Sequence, residues 1–284
     1  MELRTKRKIN SFFRYIILIL VGLIMLYPLM WLFTATFKGN HEIFTSAGLL
    51  PQEGFGDWSA WKRAWNFNTG YTFLHHFTNS LRYLVPRTFF TVVSSVITAY
   101  AVSRFSFKGK RIVFALIIGT LLMPSVIFTI PMYLFYNALG WINSYYPLWV
   151  EAMFATNSFF VFMLIQFFRT IPRELDEASI VDGCNTLQTL IYILVPVLKP
   201  IVITVAVLTF MWGMNDYLGP LIYITRMSRL PLSVALRTAI DAESTADYGK
   251  VYAMSFMALI PALTIFAFAQ RYFIDGVATT GSKG

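Results

Sequence analysis

Long apolar runs separated by short polar segments set the pattern of this chain. Six such runs can be drawn, over residues 15–37, 81–103, 112–133, 147–168, 200–217 and 251–270. A helix needs about 20 predominantly apolar residues to cross the hydrocarbon core of a bilayer. The pattern therefore predicts an all-α polytopic membrane protein with six transmembrane helices in a lipid bilayer. No shift in composition divides the chain, so residues 1–284 are expected to form a single transmembrane domain.

The composition supports a membrane location and narrows the partners. Only 13% of the residues are charged and the mean hydropathy is +0.60, whereas soluble domains carry about 25% charged residues. We interpret the net charge of +9 as cytoplasmic loops held beside anionic lipid, and we expect no nucleic-acid partner. A single cysteine, Cys184, excludes an internal disulfide framework and a multi-cysteine metal site.

The distribution of cations predicts the orientation in the membrane. Five cations lie at the N-terminus, four lie between residues 104 and 111, three flank the segment 169–199, and two, Arg271 and Lys283, lie near the C-terminus. The stretch 132–146 contains no Lys or Arg. Cations concentrate in the cytoplasmic loops of membrane proteins. We therefore expect an N-in/C-in topology, with the segment 169–199 in the cytoplasm.

The segment 169–199 carries acidic residues between two apolar runs. The acids are Glu174, Asp176, Glu177 and Asp182. Pro172 presets the backbone for the first turn of a helix, and the positive end of that helix favours nearby acids. Gly183 can take the left-handed conformation that ends a helix. Asn185 or Thr186 can then cap a second helix, which leads to Pro196.

This segment is predicted to be a helix–turn–helix that lies along the membrane surface. Ala178, Ser179 and Gly183 are small, so another backbone can approach the segment closely. From the residues alone, a docking surface for a partner and a solvated amphipathic loop both remain open.

Motifs for catalysis and metal binding are absent from the sequence. There is no P-loop motif for nucleotide binding, no zinc-protease motif and no nucleophile elbow. His75 and His76 are adjacent and diverge on a helix or strand, so we interpret them as interfacial polar residues, not as metal ligands. Glu151, near the start of the fourth run, is a weak basis for a proton relay, which needs partnered ionisable groups at mid-depth.

Three tryptophans, Trp58, Trp61 and Trp65, follow the first apolar run at spacings that share one face of a short helix. Tryptophan favours the membrane–water interface, so the pattern predicts an interfacial helix. A platform for stacking sugar rings is the alternative.

A family resemblance enters at the acidic segment. Glu177-Ala178-Ser179-x-x-Asp182-Gly183-Cys184, followed after eight residues by Ile193-Leu194-Val195-Pro196, resembles the E-A-A-x-x-D-G-A-x₈-I-x-L-P signature. That signature marks the membrane subunits of binding-protein-dependent ABC importers. Small residues replace two alanines, and Val195 replaces a leucine. The key residues stay in register.

The resemblance extends over nearly the whole chain, to the carbohydrate permeases of the maltose and glycerol-phosphate type. The turn 99–110, which reads AYAVSRFSFKGK, is similar to the first cytoplasmic turn of that group, and the tail from Gln270 to Gly284 also matches. One departure concerns the end of the fifth run. The group often has Trp-Asn there, whereas this chain has Met214-Asn215 with Trp212 two positions earlier.

The resemblance implies a division of labour among several subunits. A second related permease would form a heterodimer with this chain, and two ABC ATPase subunits would bind ATP and Mg²⁺, so this chain itself would need no cofactor and be non-catalytic. An extracytoplasmic solute-binding protein would deliver a sugar or oligosaccharide substrate, and segment 218–250 matches the outer loop that can contact it. The location implied is the bacterial cytoplasmic (inner) membrane.

The resemblance also implies roles for single residues. The coupling helix and its loop would meet an ATPase through Glu174, Glu177, Ala178, Ser179, Asp182, Gly183 and Pro196. Among these, Glu177 would meet a basic residue of the ATPase. Contacts to the substrate could come from Asn157, Ser158, Asn215 and Tyr217, for which packing inside a polar bundle is the alternative.

Two other functions stay open at this point. An ABC permease for another solute, such as glycerol phosphate, an amino acid or a peptide, would share the same signature. A stand-alone secondary transporter would share the apolar runs alone.

Overall fold

The computed structural model describes residues 2–46, 48–66, 70–243 and 247–281, and these residues form helices and connections without any strand. The helices are α1 (Glu2–Ala35), α2 (Asn40–Thr45), α3 (Ser59–Trp65), α4 (Phe73–Arg104), α5 (Lys110–Leu122), α6 (Thr129–Ala138), α7 (Tyr146–Trp149), α8 (Ser158–Thr170), α9 (Glu174–Val181), α10 (Thr186–Gln188), α11 (Val195–Val197), α12 (Lys199–Asn215), α13 (Leu218–Tyr223), α14 (Leu232–Glu243) and α15 (Tyr248–Gly281). The all-α prediction is confirmed. Lys283 and Gly284, which entered the topology and the resemblance, lie outside the described residues.

Four helical stretches in the described residues are long and apolar enough to cross a membrane: Ser11–Ala35, Phe73–Arg104, Tyr146–Thr170 and Tyr248–Phe268. Two bent pairs, Lys110–Leu122 with Ser125–Ala138 and Thr186–Val197 with Lys199–Asn215, raise the number to six if each pair is one span. The predicted runs therefore coincide with helices, and two of them are not straight.

Prolines explain both bends. Pro124 follows Met123, whose ψ of 131° is extended, because a residue before proline avoids the helical region. The pair around this point is bent by 99°. Pro200 lacks the N–H that would continue the helix from α11, and its ring crowds the preceding turn. The chain bends there by 82°.

The first of two compact units comprises the residues up to Phe73 together with Leu236–Ile260. Aromatic side chains fill it. The ring of Trp61 lies 6.1 Å from that of Phe33 and 5.8 Å from that of Phe256, and its N–H donates to the hydroxyl of Thr36 at 3.0 Å. Trp58 and Trp65 keep about half of their surface exposed. An interfacial position for α3 stays a prediction.

The second unit comprises Leu74–Ala235 and the residues from Pro261 onward. Its core joins α4, α8, the segment 190–198 and α12. The buried members of this core are Val96, Ala99, Tyr100, Val102, Phe160, Val161, Leu164, Ile165, Phe168, Ile171, Leu190, Leu194, Leu198 and Val205. The core thus anchors the acidic segment at both of its ends, at Ile171 and at Leu198.

Polar side chains at the start of α4 hold the connection between α13 and α14. The amide of Asn79 donates to the carbonyls of Ser228 and Leu230 at 3.0 and 3.2 Å, and the hydroxyl of Ser80 accepts from the N–H of Leu232 at 2.9 Å. His76 is fully buried, with Nδ1 2.8 Å from the carbonyl oxygen of Leu230. This buried polar role of His76 agrees with the interpretation that it is not a metal ligand.

Candidate functional site

The acidic segment folds as a helix followed by a turn and a second helical stretch. α9 begins at Glu174, two residues after Pro172, because the first hydrogen bonds of its turn run to the carbonyl of Arg173. Its first turn holds Glu174, Asp176 and Glu177. There, their carboxylates stabilise the unpaired N–H groups and the positive end of the helix.

The turn after α9 has the hydrogen bonds of a Schellman motif. Gly183 adopts φ +81°, the left-handed conformation that its lack of a Cβ makes accessible. Its N–H donates to the carbonyl of Ile180 at 3.0 Å, and the N–H of Cys184 donates to the carbonyl of Ser179 at 2.9 Å. The sequence predicted this stop at Gly183, and the backbone has the conformation that the stop requires.

Asn185 caps the second helical stretch, which settles the alternative between Asn185 and Thr186. Its side chain accepts from the N–H of Gln188 at 2.9 Å, and the side chain of Gln188 accepts from the N–H of Asn185 at 2.8 Å. This reciprocal capping box satisfies two N–H groups that would otherwise lack partners. From Thr189 to Leu194 the stretch is a π-helix, which then continues into α11 with Pro196.

One of the predicted coupling residues faces inward. Ser179 is fully buried. Its hydroxyl donates to the carbonyl of Asp176 at 2.6 Å and lies 2.8 Å from the hydroxyl of Thr189. Ser179 therefore joins α9 to the second helical stretch of the same chain, and the close approach expected at this small residue is made by Thr189.

The other predicted coupling residues lie on the outside of the segment. Those with exposed side chains or backbone are Glu174, Glu177, Ala178, Asp182, Gly183 and Pro196. Large apolar side chains lie beside them. Ile180 is 69% exposed and Val181 is 87% exposed. We call the surface formed by Glu177, Ala178, Ile180 and Val181 the docking face. It combines a carboxylate with apolar groups that nothing in the described chain covers.

A residue outside the segment also contacts it. Arg104, the last residue of α4, forms an ion pair with Asp176 at 3.1 Å and donates to the carbonyl of Ile171 at 3.0 Å. The sequence analysis treated Arg104 as one member of a basic turn. The chain supplied a signal, because Asp176 is the acid of the first turn that is not part of the signature, but the pairing needs the fold.

The residues predicted to contact the substrate divide into two groups. Asn157 caps α8 by accepting from the N–H of Phe160 at 3.4 Å, and the hydroxyl of Ser158 lies 2.6 Å from that of Thr120 on α5. Asn215 and Tyr217 are exposed at the end of α12, where Asn215 donates to the carbonyl of Met211 at 2.8 Å. Direct contact between the two groups is not observed in the described residues.

Trp212 lies between these groups. Its ring stacks on Phe160 with centroids 5.2 Å apart and lies 5.6 Å from the ring of Phe159, and 50% of Trp212 is exposed. Phe159 and Phe160 directly follow Ser158, and Asn215 lies one helical turn after Trp212. An exposed indole and several amide and hydroxyl groups therefore lie along neighbouring parts of α8 and α12.

The described residues contain no group of three or more His, Cys, Asp or Glu side chains arranged to hold a metal ion. Two ionisable side chains of the second unit pair with each other. Arg87 of α4 lies 3.3 Å from Asp216, which also accepts from the N–H of Gly219 at the start of α13. The sequence analysis did not foresee this pair.

Sequence comparisons place the chain among transport proteins. Residues 91–278 match the family described as binding-protein-dependent transport system inner membrane component. The inner membrane ABC transporter permease protein YcjP of Escherichia coli is 31% identical over 98% of this chain and 99% of its own. The trehalose/maltose transport system permease protein MalG of Thermococcus litoralis is 27% identical, with 94% of each chain covered. The maltodextrin transport system permease protein MdxG of Bacillus subtilis is 26% identical over both full lengths.

A structural comparison supports the fold. A chain in the crystal structure of a bacterial ABC transporter involved in the import of the acidic polysaccharide alginate superposes with a TM-score of 0.77, at 24% identity, over 94% of this chain and 97% of that chain. The resemblance inferred from the acidic segment is confirmed by the family match and by a relative of 31% identity. The chain belongs to the family of binding-protein-dependent transport system inner membrane components.

Proposed function

We propose that this chain is a permease subunit of an ATP-driven ABC importer that moves a sugar or oligosaccharide across the bacterial cytoplasmic membrane. Family membership supports the role as a transport component. The docking face carries the proposal, because a chain without a nucleotide-binding motif needs a surface on which ATPase subunits can act. ATP and Mg²⁺ bind to those partners, and this chain catalyses no reaction itself.

Six spans with both termini inside form a single transmembrane domain in this proposal. The six-span count takes each bent pair as one span. The cation-rich turn 104–111 and the segment 169–199 then lie on the same side of the membrane. The ion pair between Arg104 and Asp176 supports this arrangement, because it requires the end of α4 and the start of α9 to lie together.

In the assembly, a second related permease pairs with this chain and each permease engages one ATPase subunit. Glu177 is exposed in the first turn of α9 and meets a basic residue of the ATPase. Ala178, Ile180 and Val181 provide the apolar area of the contact. Burying an apolar side chain of this size contributes about 1.5–3 kcal/mol. Ser179 supports the docking face from inside, through Thr189.

A sugar or oligosaccharide is the proposed substrate because two of the relatives are named for trehalose/maltose and maltodextrin transport. An extracytoplasmic binding protein delivers it. The proposed path runs past Asn157, Ser158, Asn215 and Tyr217. Ionisable and polar groups in membrane helices face the bundle interior or a water-filled cavity, which supports a path along their side of α8 and α12.

Copurification tests this proposal without knowledge of the substrate. The tagged full-length chain, isolated in detergent from its native host, is expected to bring down a second permease and an ATPase with a P-loop. The double variant Ile180→Asp and Val181→Asp should lose the ATPase and keep the second permease, because charged groups replace the apolar contact. Phe107→Asp, at an apolar residue of similar partial exposure (42%) in the turn after α4, is the matched control.

The outcomes are distinct. Loss of the ATPase from the double variant with full retention in the control supports the docking face. If the wild-type chain is isolated without any ATPase and still mediates transport in vesicles, the importer proposal is wrong. If both variants retain the ATPase, docking occurs elsewhere on the chain.

A further inference from the structure

Arg104 is the one long cationic side chain of the turn 104–111 whose surroundings in the described chain are those of a buried group. Its side chain is 9% exposed, although it is the last residue of α4. Lys108 and Arg111, in the same turn, are exposed. A side chain with four flexible torsions loses much conformational freedom when it is held in place. Its burial therefore calls for compensating contacts.

Two contacts compensate for the burial of Arg104. The carboxylate of Asp176, itself 19% exposed, lies 3.1 Å from its guanidinium, and the carbonyl of Ile171 accepts a hydrogen bond at 3.0 Å. Both groups belong to the acidic segment. Removing one partner of a buried ion pair leaves an uncompensated charge, which is strongly unfavourable. The end of α4 and the start of α9 are thus energetically tied together.

The connection continues through the acidic segment. The backbone carbonyl of Asp176 accepts from Ser179, and Ser179 lies in hydrogen-bonding contact with Thr189 of the π-helical stretch. Leu190 and Leu194, which follow Thr189, belong to the buried core. A continuous set of polar and packing contacts therefore runs from Arg104 through α9 to the base of α12.

Packing on the other side of Arg104 comes from α4 itself. Tyr100, one turn earlier, contacts Phe168 with ring centroids 5.8 Å apart, and both residues belong to the same buried core. These apolar contacts fix α4 against α8, whereas only Arg104 reaches from α4 into α9 by an ion pair in the described residues. Movement of α9 relative to α8 would therefore act on α4 through Arg104.

We propose that Arg104 is a positioning residue that transmits movement of the acidic segment to α4. This inference rests on the proposed function, because it assumes that ATPase subunits move the segment. The ion pair with Asp176 and the hydrogen bond to Ile171 make the end of α4 follow α9. Without them, the ATPase subunits still bind and still move α9, but α4 no longer responds.

Hydrogen–deuterium exchange on the purified complex measures the two responses separately. The complex of the full-length chain with its copurified partners is compared with and without ATP, Mg²⁺ and orthovanadate, which trap the ATPase subunits. In the wild type we expect trapping to change deuterium uptake both in residues 170–198 and in residues 96–107. In Arg104→Gln we expect the change in residues 170–198 to persist and the change in residues 96–107 to be lost.

Three further variants separate transmission from a loss of folding. Asp176→Asn removes only the charge of the less buried partner and leaves the hydrogen bond of Arg104 to Ile171, so it should weaken the response of α4 and preserve folding. Exchange of the two charges, with Arg104→Asp and Asp176→Arg combined, should recover part of the response that Asp176→Arg alone loses. Arg111→Gln, at an exposed cation of the same turn, is the control and should match the wild type.

The results that overturn the inference are specific. An undiminished response of residues 96–107 in both Arg104→Gln and Asp176→Asn shows that α4 is driven by other contacts. Loss of both responses, with the ATPase still bound, shows that Arg104 only maintains the fold of the segment. If the wild-type chain copurifies with no ATPase, the proposed function fails first and this inference fails with it.

Discussion

The turn at Gly183 gives the sharpest test of how the acidic segment works. Gly183 holds φ +81°, and a Cβ added to it would meet no atom within 4 Å. A substitution here therefore introduces conformational strain without a steric clash. That separation is useful, because the effect of a side chain can be attributed to the backbone alone.

The magnitude follows from the backbone conformation. An ordinary L-residue pays about 1–2 kcal/mol in the left-handed region, and a β-branched residue pays more, since it is a genuine outlier there. Asn pays least, because its side chain forms local hydrogen bonds in this conformation. Helices as short as α9, with 8 residues, are marginal in isolation, so little spare stability absorbs the cost.

The cost should appear as weaker binding of the ATPase. When the binding-competent form is less populated, the apparent dissociation constant rises in proportion. A penalty of about 1.4 kcal/mol corresponds to a tenfold change. We therefore expect Gly183→Ala to weaken binding by about 5- to 30-fold, Gly183→Val by more, and Gly183→Asn by only a small factor.

The assay is a titration of purified ATPase subunits onto the permease complex in nanodiscs, read as the apparent Kd for each variant. ATP-dependent uptake in proteoliposomes is measured beside it. The ranking Gly, Asn, Ala, Val tests the reasoning more strictly than any single value. Equal binding by Gly183→Val and the wild type would refute the proposed turn, and so would a Gly183→Asn variant as weak as Gly183→Val.

The remaining predictions concern other parts of the chain. Glu177→Lys should leave the protein inserted and uncouple uptake from ATP hydrolysis, since it reverses a charge at the docking contact; unchanged uptake in vesicles would contradict this role. Trp212→Ala should reduce sugar uptake while ATPase copurification stays normal and Trp212→Phe retains most uptake; equal uptake in all three proteins would exclude Trp212 from the path. Burial opposes ionisation of Asp247, but hydrogen bonds from Arg63 and from the N–H of Lys250, with the charges of both, hold its pKa below the usual value. Since a lowered folded pKa stabilises the protein above the unfolded value of about 4 and loses that contribution as the pH falls, the stability difference between the wild type and Asp247→Asn, measured by thermal unfolding, should be present at pH 7 and disappear on acidification; a constant difference across that range would contradict the pairing.

Much of the candidate site could be predicted because its signals are local. A glycine that ends a helix and an asparagine that starts the next one act through hydrogen bonds within a few residues. Gly183 and Asn185 therefore show in the structure the conformations that the sequence indicates. The family resemblance rested on the same local register and is confirmed, as is the location in the inner membrane.

The facing of Ser179 could not be predicted, because it depends on a partner ten residues away. The sequence placed Ser179 among the small residues available to another chain. In the structure its hydroxyl lies against Thr189, and the exposed apolar groups are Ile180 and Val181. Which side of a short helix is covered is decided by packing, since the helix itself is apolar on more than one side.

Apolar runs and prolines, both readable from the sequence, determined that the chain is helical, that it belongs in a membrane, and where its helices bend. They do so because a bilayer requires apolar helices of a given length and because proline cannot continue a helix. Only the tertiary structure decided the pairing of Arg104 with Asp176 and of Arg87 with Asp216. Each pair joins residues more than 70 positions apart in the chain, and no local rule of backbone geometry links residues at that separation.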